Sequence, residues 1–470
     1  MPDKLKLNDV LANIEKLGDG EFFRLSSSSA IVRIAGVNIL IDPALQGRSF
    51  TRSEPNKLIP PSKGEASKSV KSRSEDYPYS MIVAEPPSED DRDKSNTQRV
   101  GEALANHIDI VTISHLDADH YDFEFIRTMM ENNEKLRVYG PLAWQGEIGK
   151  HHSLEETGNQ PAENYLPKKL ARRLRGLSPK PSDPEKDKGL SYPGFNLNMV
   201  NLVVTDRGVL RELNPPFRWG TAGESIPPGE KIKEQIVIKS LDVPHMGGLP
   251  AEYNQGLVIE NKQNRIMIIP DAALSPEIIQ HLIDNYEDES GNKLTKIIVS
   301  VATLNPETFY GLPKPLADTI RDEIEESIAH SAYLPLVITA MTDGKVPVYL
   351  THGGFYFRSS SDRKYLRTRF PEYKGDDNPS VEEWLSRLKN EVEKTMKDMK
   401  TDIDKLGPLA TSFEKRSRLS LRGFAKDFPT RRKFATKIVK WIKKTGVPQS
   451  IIDNIHMPPA NVIISGPEKS

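Results

Sequence analysis

The 470-residue chain contains no cysteine. Disulfides, thiolate catalysis and cysteine-ligated zinc sites are therefore excluded, and any metal would have to be held by histidine and carboxylate. No run of about 18 apolar residues occurs, so no membrane-spanning helix is expected. The first residues, MPDKLKLNDVLANIEKLGDG, lack the apolar stretch of a signal peptide. A cytoplasmic protein is the expectation. Excess charge of either sign is also missing. Lys+Arg 65 against Asp+Glu 66 leaves a formal charge of -1, so any attraction to nucleic acid or anionic lipid must be local.

What is present is a series of short, β-branched, apolar runs. IDIVTIS (108–114), QIVIKSLDV (235–243), QGLVIE (255–260), RIMIIPD (265–271), KIIVSVA (296–302) and VPVYLTH (346–352) have the character of buried strands. Upstream, FFRLSSSSAIVRIAGVNILIDPAL predicts two or three strands, with Ala35 and Gly36 forming a turn. Apolar residues at helical spacing predict a helix over about 3–17 that ends at Gly18, and SPEIIQHLIDNYED and LADTIRDEIEESIAHSAYL predict two more. Strands interspersed with helices define an α/β or α+β class with helix-covered sheets.

Two polar stretches interrupt the pattern, near 46–100 and 151–193. The second contains KKLARRLRG and reads as a small helix plus linker. The expected organisation is a large domain over 1–360, interrupted by these stretches, and a mainly helical, basic extension over 361–470. Within the extension, residues 413–446 carry twelve Lys/Arg against two acids. An ordinary surface helix accounts for this segment, as does a contact with nucleic-acid phosphates or an anionic membrane.

Four of the apolar runs deliver ligand-type residues at their C-terminal ends. IDIVTIS leads into His115, QIVIKSLDV into His245, RIMII into Asp271 after one proline, and VPVYLT into His352. Side chains at such ends converge on one edge of a sheet. His115 is followed at once by Asp117, Asp119 and His120 in HLDADH. Imidazole and carboxylate suit first-row divalent metals, and two ions about 3.5–4 Å apart can share a bridging carboxylate. His115 with Asp117 would face one ion, Asp119 with His120 the next. Taken alone, HLDADH also fits an acidic helix N-cap. The pair His151-His152 reads as solvated. His330 reads as a packing or surface residue, and Tyr121 as packing on the loop or touching substrate.

HLDADH resembles the H-x-H-x-D-H signature of the metallo-β-lactamase superfamily. VNILIDPAL, PHMGGLPAEYNQGLVIENKQNRIMIIPDA and VYLTHGGFY, in that order, resemble the branch containing L-ascorbate-6-phosphate lactonase and N-acyl-phosphatidylethanolamine phospholipase D. The resemblance spans about residues 20–360 and implies a metallo-β-lactamase-like αββα sandwich. It implies that His115, His245 and Asp117 hold one metal, that Asp119, His120 and His352 hold a second, and that Asp271 bridges them. Asp42 would support the ligands from behind. One or two divalent ions are implied, zinc or alternatively manganese or iron.

The chain departs from the family pattern in three places. Asp117 stands where a histidine is usual, Pro270-Asp271-Ala272 replaces a Gly-Asp-Thr block, and the polar stretches fall where substrate-facing loops would be. The implied activity is hydrolysis of an ester, lactone, amide or phosphoester of a small molecule by a metal-bound hydroxide, the pKa of bound water falling from about 15.7 to about 7. Asp119 and His120 would be catalytic. The alternatives are a phosphodiesterase or nuclease that grips its substrate with 413–446, and a non-catalytic binding protein whose site has degenerated.

Overall fold

The computed structural model describes residues 5–25, 28–43, 82–84, 93–115, 120, 122–141, 168–171, 173–177, 199–215, 223–243, 254–272, 274–300, 334–339, 341–342, 344–351, 454–456, 458 and 461–465. Sixteen strands and five named helices fall within them. Among the described residues no helix is long and apolar enough to cross a membrane.

Six strands form one sheet, in the order β2 (Phe22–Arg24), β3 (Ala30–Ile34), β4 (Val37–Ile41), β6 (Ile110–Thr112), β7 (Arg137–Pro141) and β8 (Leu174–Leu177). Eight form the other, in the order β10 (Leu210–Glu212), β9 (Met199–Thr205), β11 (Ile232–Asp242), β12 (Gln255–Glu260), β13 (Arg265–Ile269), β14 (Lys296–Ser300), β15 (Val348–Thr351) and β16 (Ile455–His456). A separate parallel pair joins β1 (Leu5–Lys6) to β5 (Ile82–Val83). Both large sheets are mixed. From β4 to β8 and from β13 to β16 the neighbours run parallel, so their C-terminal ends share an edge.

Three buried apolar layers explain why the strands read as continuous apolar runs. The alternating side chains of each central strand go one way into the space between the sheets and the other way under helices. On β13, Ile266 and Ile268 enter the inter-sheet layer with Val32, Ile39 and Ile110, whereas Met267 and Ile269 face outward. That outward layer is covered by Ile278 and Leu282 of α5 (Pro276–Tyr286) and by Leu334, Val337 and Ile338. The six-stranded sheet is covered by α1 (Leu7–Lys16), α2 (Asn96–Ala105) and α3 (Phe123–Asn132), through Val10, Ile14, Val100, Leu104, Phe125 and Met129. Each fully buried aliphatic side chain contributes about 1.5–3 kcal/mol before its entropy cost. The layer order is the αββα sandwich expected.

Several elements differ from their sequence expectation. The first helix starts at Leu7 because Leu5 and Lys6 are drawn into pairing with Ile82 and Val83. Helix α2 begins inside the polar stretch near 46–100, where Ser95 and Gln98 form a reciprocal capping box. In KKLARRLRG the helix α4 is confined to Lys168–Ala171, and the following residues become edge strand β8. Arg173, between the two, ties this stretch to the end of α3. Its guanidinium donates to the carbonyls of Met130, Asn133 and Leu136 at the end of α3.

Residues 454–465 are woven into the sandwich. Ile455 and His456 pair with Val348 and Tyr349 at the edge of the eight-stranded sheet. Asn461 N donates to Arg24 O, and Ile464 exchanges backbone hydrogen bonds with Phe22 on the edge strand of the six-stranded sheet. One short segment therefore ties both sheet edges. The basic segment 413–446 and the remaining helical expectations after residue 360 lie outside the described residues, as does the expected helix LADTIRDEIEESIAHSAYL except for its last residue, Leu334.

Candidate metal centre

The shared C-terminal edge of the parallel strands is where the chemistry gathers. Strand β4 leads into Asp42, β6 leads through Ser114 to His115, β13 through Pro270 to Asp271, and β14 ends in Ser300. The two sheets are stitched together at this point. Gln255, first residue of β12, donates its backbone amide to Ser114 O at 2.9 Å and its side-chain amide to Ile113 O at 3.0 Å.

His115, His120 and Asp271 are buried and bring one ligand atom each within 4.8 Å of one another. Both histidines are fully buried, and their ring centroids lie 3.9 Å apart. His120 stands between two carboxylates, with Nδ1 2.9 Å from Asp42 Oδ2 and Nε2 3.5 Å from Asp271 Oδ2. Burial disfavours its charged form, but the charges of Asp271 and Asp42 outweigh that and hold the imidazole well above its usual range.

Asp42 organises the rear of this cluster. Its backbone has φ of 44°, a left-handed conformation that Asp tolerates better than most residues. It is pinned there because its amide donates to Thr112 O at 2.9 Å and its carbonyl accepts from the Ser29 hydroxyl. The carboxylate accepts from Ser114 N at 2.7 Å, Ser114 Oγ at 2.8 Å and His120 Nδ1. Because the Ser114 hydroxyl gives its hydrogen to Asp42, it acts as acceptor toward His115 Nδ1, 2.9 Å away. Both imidazoles thus carry a hydrogen on Nδ1. When neutral, each keeps its lone pair on Nε2, the arrangement that second partners impose on metal-ligating histidines.

On the opposite side, Asn254 pairs with His115 as an isolated β-bridge and donates its side-chain amide to Val243 O at 3.1 Å and Asp271 O at 3.0 Å. The set of donors, two imidazoles with fixed tautomers and a carboxylate, fits a divalent first-row cation.

Of the residues singled out in the sequence, the structure brings His115, His120, Asp271 and Asp42 together. Asp117, Asp119, Tyr121, His245 and His352 lie outside the described residues, as do His151, His152 and His330. The polar exit from β6 also contains a helix cap, supplied by Asp122. Its Oδ1 accepts from the amides of Glu124 and Phe125 at the start of α3. Sequence reasoning missed Ser29, Ser114, Asn254 and Ser300. Ser114, directly before His115, carried the one usable signal, a hydroxyl breaking an apolar run at a ligand.

No family model matches the chain, and no curated protein matches it. Similar solved structures include a possible metal-dependent hydrolase from Veillonella parvula, 11% identical with a TM-score of 0.29, over 77% of this chain and 98% of that one. Another is an isothiocyanate hydrolase from Delia radicum gut bacteria, 13% identical with a TM-score of 0.32, over 74% and 92%. A third is a metallo-β-lactamase fold protein from Bacillus subtilis, 10% identical with a TM-score of 0.29, over 74% and 91%. With TM-scores this low, the fold rests on the sheets and cores described above.

Proposed function

We propose that this protein is a metal-dependent hydrolase of the metallo-β-lactamase type, acting on an ester, lactone, amide or phosphoester of a small molecule. The observation that carries the reading is the convergence of His115, His120 and Asp271, all buried, at the ends of strands from both sheets. Burying two imidazoles against a carboxylate is costly unless their lone pairs and charge are used. The motif resemblance to the lactonase and phospholipase D branch supports the reading, and on that resemblance Asp117, Asp119, His245 and His352 would be further ligands.

A divalent cation bound here would acidify a water and polarise the oxygen of the scissile group. The chain's own part is to hold that cation and to exclude other arrangements. His115 and His120 offer nitrogen donors whose Nδ1 protons are fixed by Ser114 and Asp42, and Asp271 offers an oxygen facing His120. Preorganisation of this kind removes the reorganisation cost from the chemical step.

The test is metal analysis of the purified protein, followed by assay on chromogenic ester, lactone, amide and phosphodiester substrates before and after chelation. At least one bound ion per chain is expected, with an activity lost on chelation, restored by zinc, manganese or iron, and absent in His120→Ala. Less than one ion per chain after growth with those metals overturns the reading.

A further inference from the structure

We infer that Ser300 is a positioning residue for this centre, holding one oxygen of Asp271 so that the other faces His120. The inference rests on the reading of His115, His120 and Asp271 as metal ligands.

Strands β13 and β14 run parallel, with Ile269 opposite Val299. The next residue of β14, Ser300, therefore lies beside the Pro270-Asp271 turn. Ser300 and Asp271 are both buried, and the Ser300 hydroxyl donates to Asp271 Oδ1. Oδ2 of the same carboxylate is the oxygen 3.5 Å from His120 Nε2. The main chain of Asp271 is held separately, through its carbonyl, by the Asn254 amide. Rotation of the carboxylate about its last torsion, which is broad and roughly two-fold, decides which oxygen meets His120. The Ser300 hydroxyl, bonded to Oδ1, is placed to fix that choice.

The position of Ser300 on its strand makes it conspicuous. Ile297 and Val299 face the helix-covered layer, and Ile298 faces the inter-sheet layer. By alternation Ser300 follows Ile298 on the inward row, where an aliphatic side chain would serve packing better. A hydroxyl there is accounted for by its bond to Asp271.

A purely structural role would stabilise the metal-free fold and leave metal affinity alone. The experiment uses the full chain, stripped with a chelator and titrated with Co²⁺ against a chromophoric competitor, with the cobalt d–d spectrum recorded and melting of each metal-free protein measured. Ser300→Ala is expected to weaken Co²⁺ binding by about 10–100-fold and to change the spectrum. Ser300→Thr, which keeps the hydroxyl, should recover most of the affinity, and Ser300→Val, of nearly the same volume, should not. That pair decides the matter if the alanine variant does not fold. Wild-type affinity and spectrum in the alanine and valine variants, with only their melting lowered, overturns the positioning role, as does equal weakening in the threonine and valine variants. Asp271→Asn separates the two levels. If it binds Co²⁺ as the wild type does, or the wild type binds none, the metal-ligand reading fails and this inference with it.

Discussion

Asp42 Oδ2 lies 2.9 Å from His120 Nδ1, although 78 positions of sequence separate the two residues. The contact spans adjacent parallel strands, since β4 delivers Asp42 and β6 leads toward His120. It fixes which ring nitrogen of His120 carries hydrogen, and therefore which one is offered to a ligand.

Asp42→Asn is therefore expected to lower divalent-metal affinity by about 10–100-fold while leaving the ligand atoms in place. Calorimetric titration of the chelator-treated protein with Zn²⁺ checks this. An unchanged affinity would remove Asp42 from the design of the centre.

Metal binding should compete with a proton on His120. Its pKa in the metal-free fold is raised, because Asp271 and Asp42 outweigh the opposing effect of burial. A raised folded pKa means this group's stabilisation of the metal-free protein is fully present below about 6.5, the unfolded value, and is lost as pH rises through the folded pKa. Cation affinity runs the other way, increasing with pH over the same window. Titrations at pH 7 in buffers of different ionisation enthalpy should show proton release on metal binding, and His120→Gln should reduce it.

Lys296 provides a pH effect remote from the centre. The side chain is fully buried, donates to Gly20 O and sits over the Phe22 ring, and burial pulls its pKa down to about 8 against a weaker opposing effect of Glu21. A depressed lysine pKa means the unfolded chain holds this proton more tightly, so stability should rise between pH 8 and about 10.4 by roughly 2–3 kcal/mol. Urea unfolding of wild type and Lys296→Met at pH 7.5 and 10 isolates the contribution. The rise should be smaller in the variant.

Ala35 has φ of 54° beside Gly36 at 78°, in the two-residue loop joining β3 to β4. Both central positions of such a turn require positive φ, which alanine adopts at a cost and asparagine tolerates. Ala35→Asn is expected to stabilise the protein by about 0.5–1 kcal/mol, read as an upward shift in the denaturant midpoint with an unchanged slope.

The strands legible in the sequence were those buried on both faces, where β-branched side chains fill two apolar layers at once. Strand β8 was not among them. LRGL follows a basic helix-like run, and its Arg175 looks solvated until Glu212 is found 3.8 Å away on the other sheet. The ligand-type residues stood out because imidazoles and carboxylates are rare at the ends of buried strands. The hydroxyls and amide that orient them did not, because Ser29, Ser114, Asn254 and Ser300 have no periodic or spacing signature and acquire meaning only through partners distant in sequence. Helix α2 was hidden by composition, its capping box sitting within a stretch dominated by charge and proline.

The seam made by residues 454–465 bears on how the molecule comes to be folded. Asn13 donates its side-chain amide to Asn461 O across 448 positions, and Phe22 meets Ile464 on the edge of the six-stranded sheet. Contacts of such range are reached slowly, because the intervening chain must first be ordered. The pairing at β2 and β15 can form only once residues 454–465 have been synthesised. Closing the β2 and β15 edges is therefore a late event in folding, and it removes both from pairing with other chains.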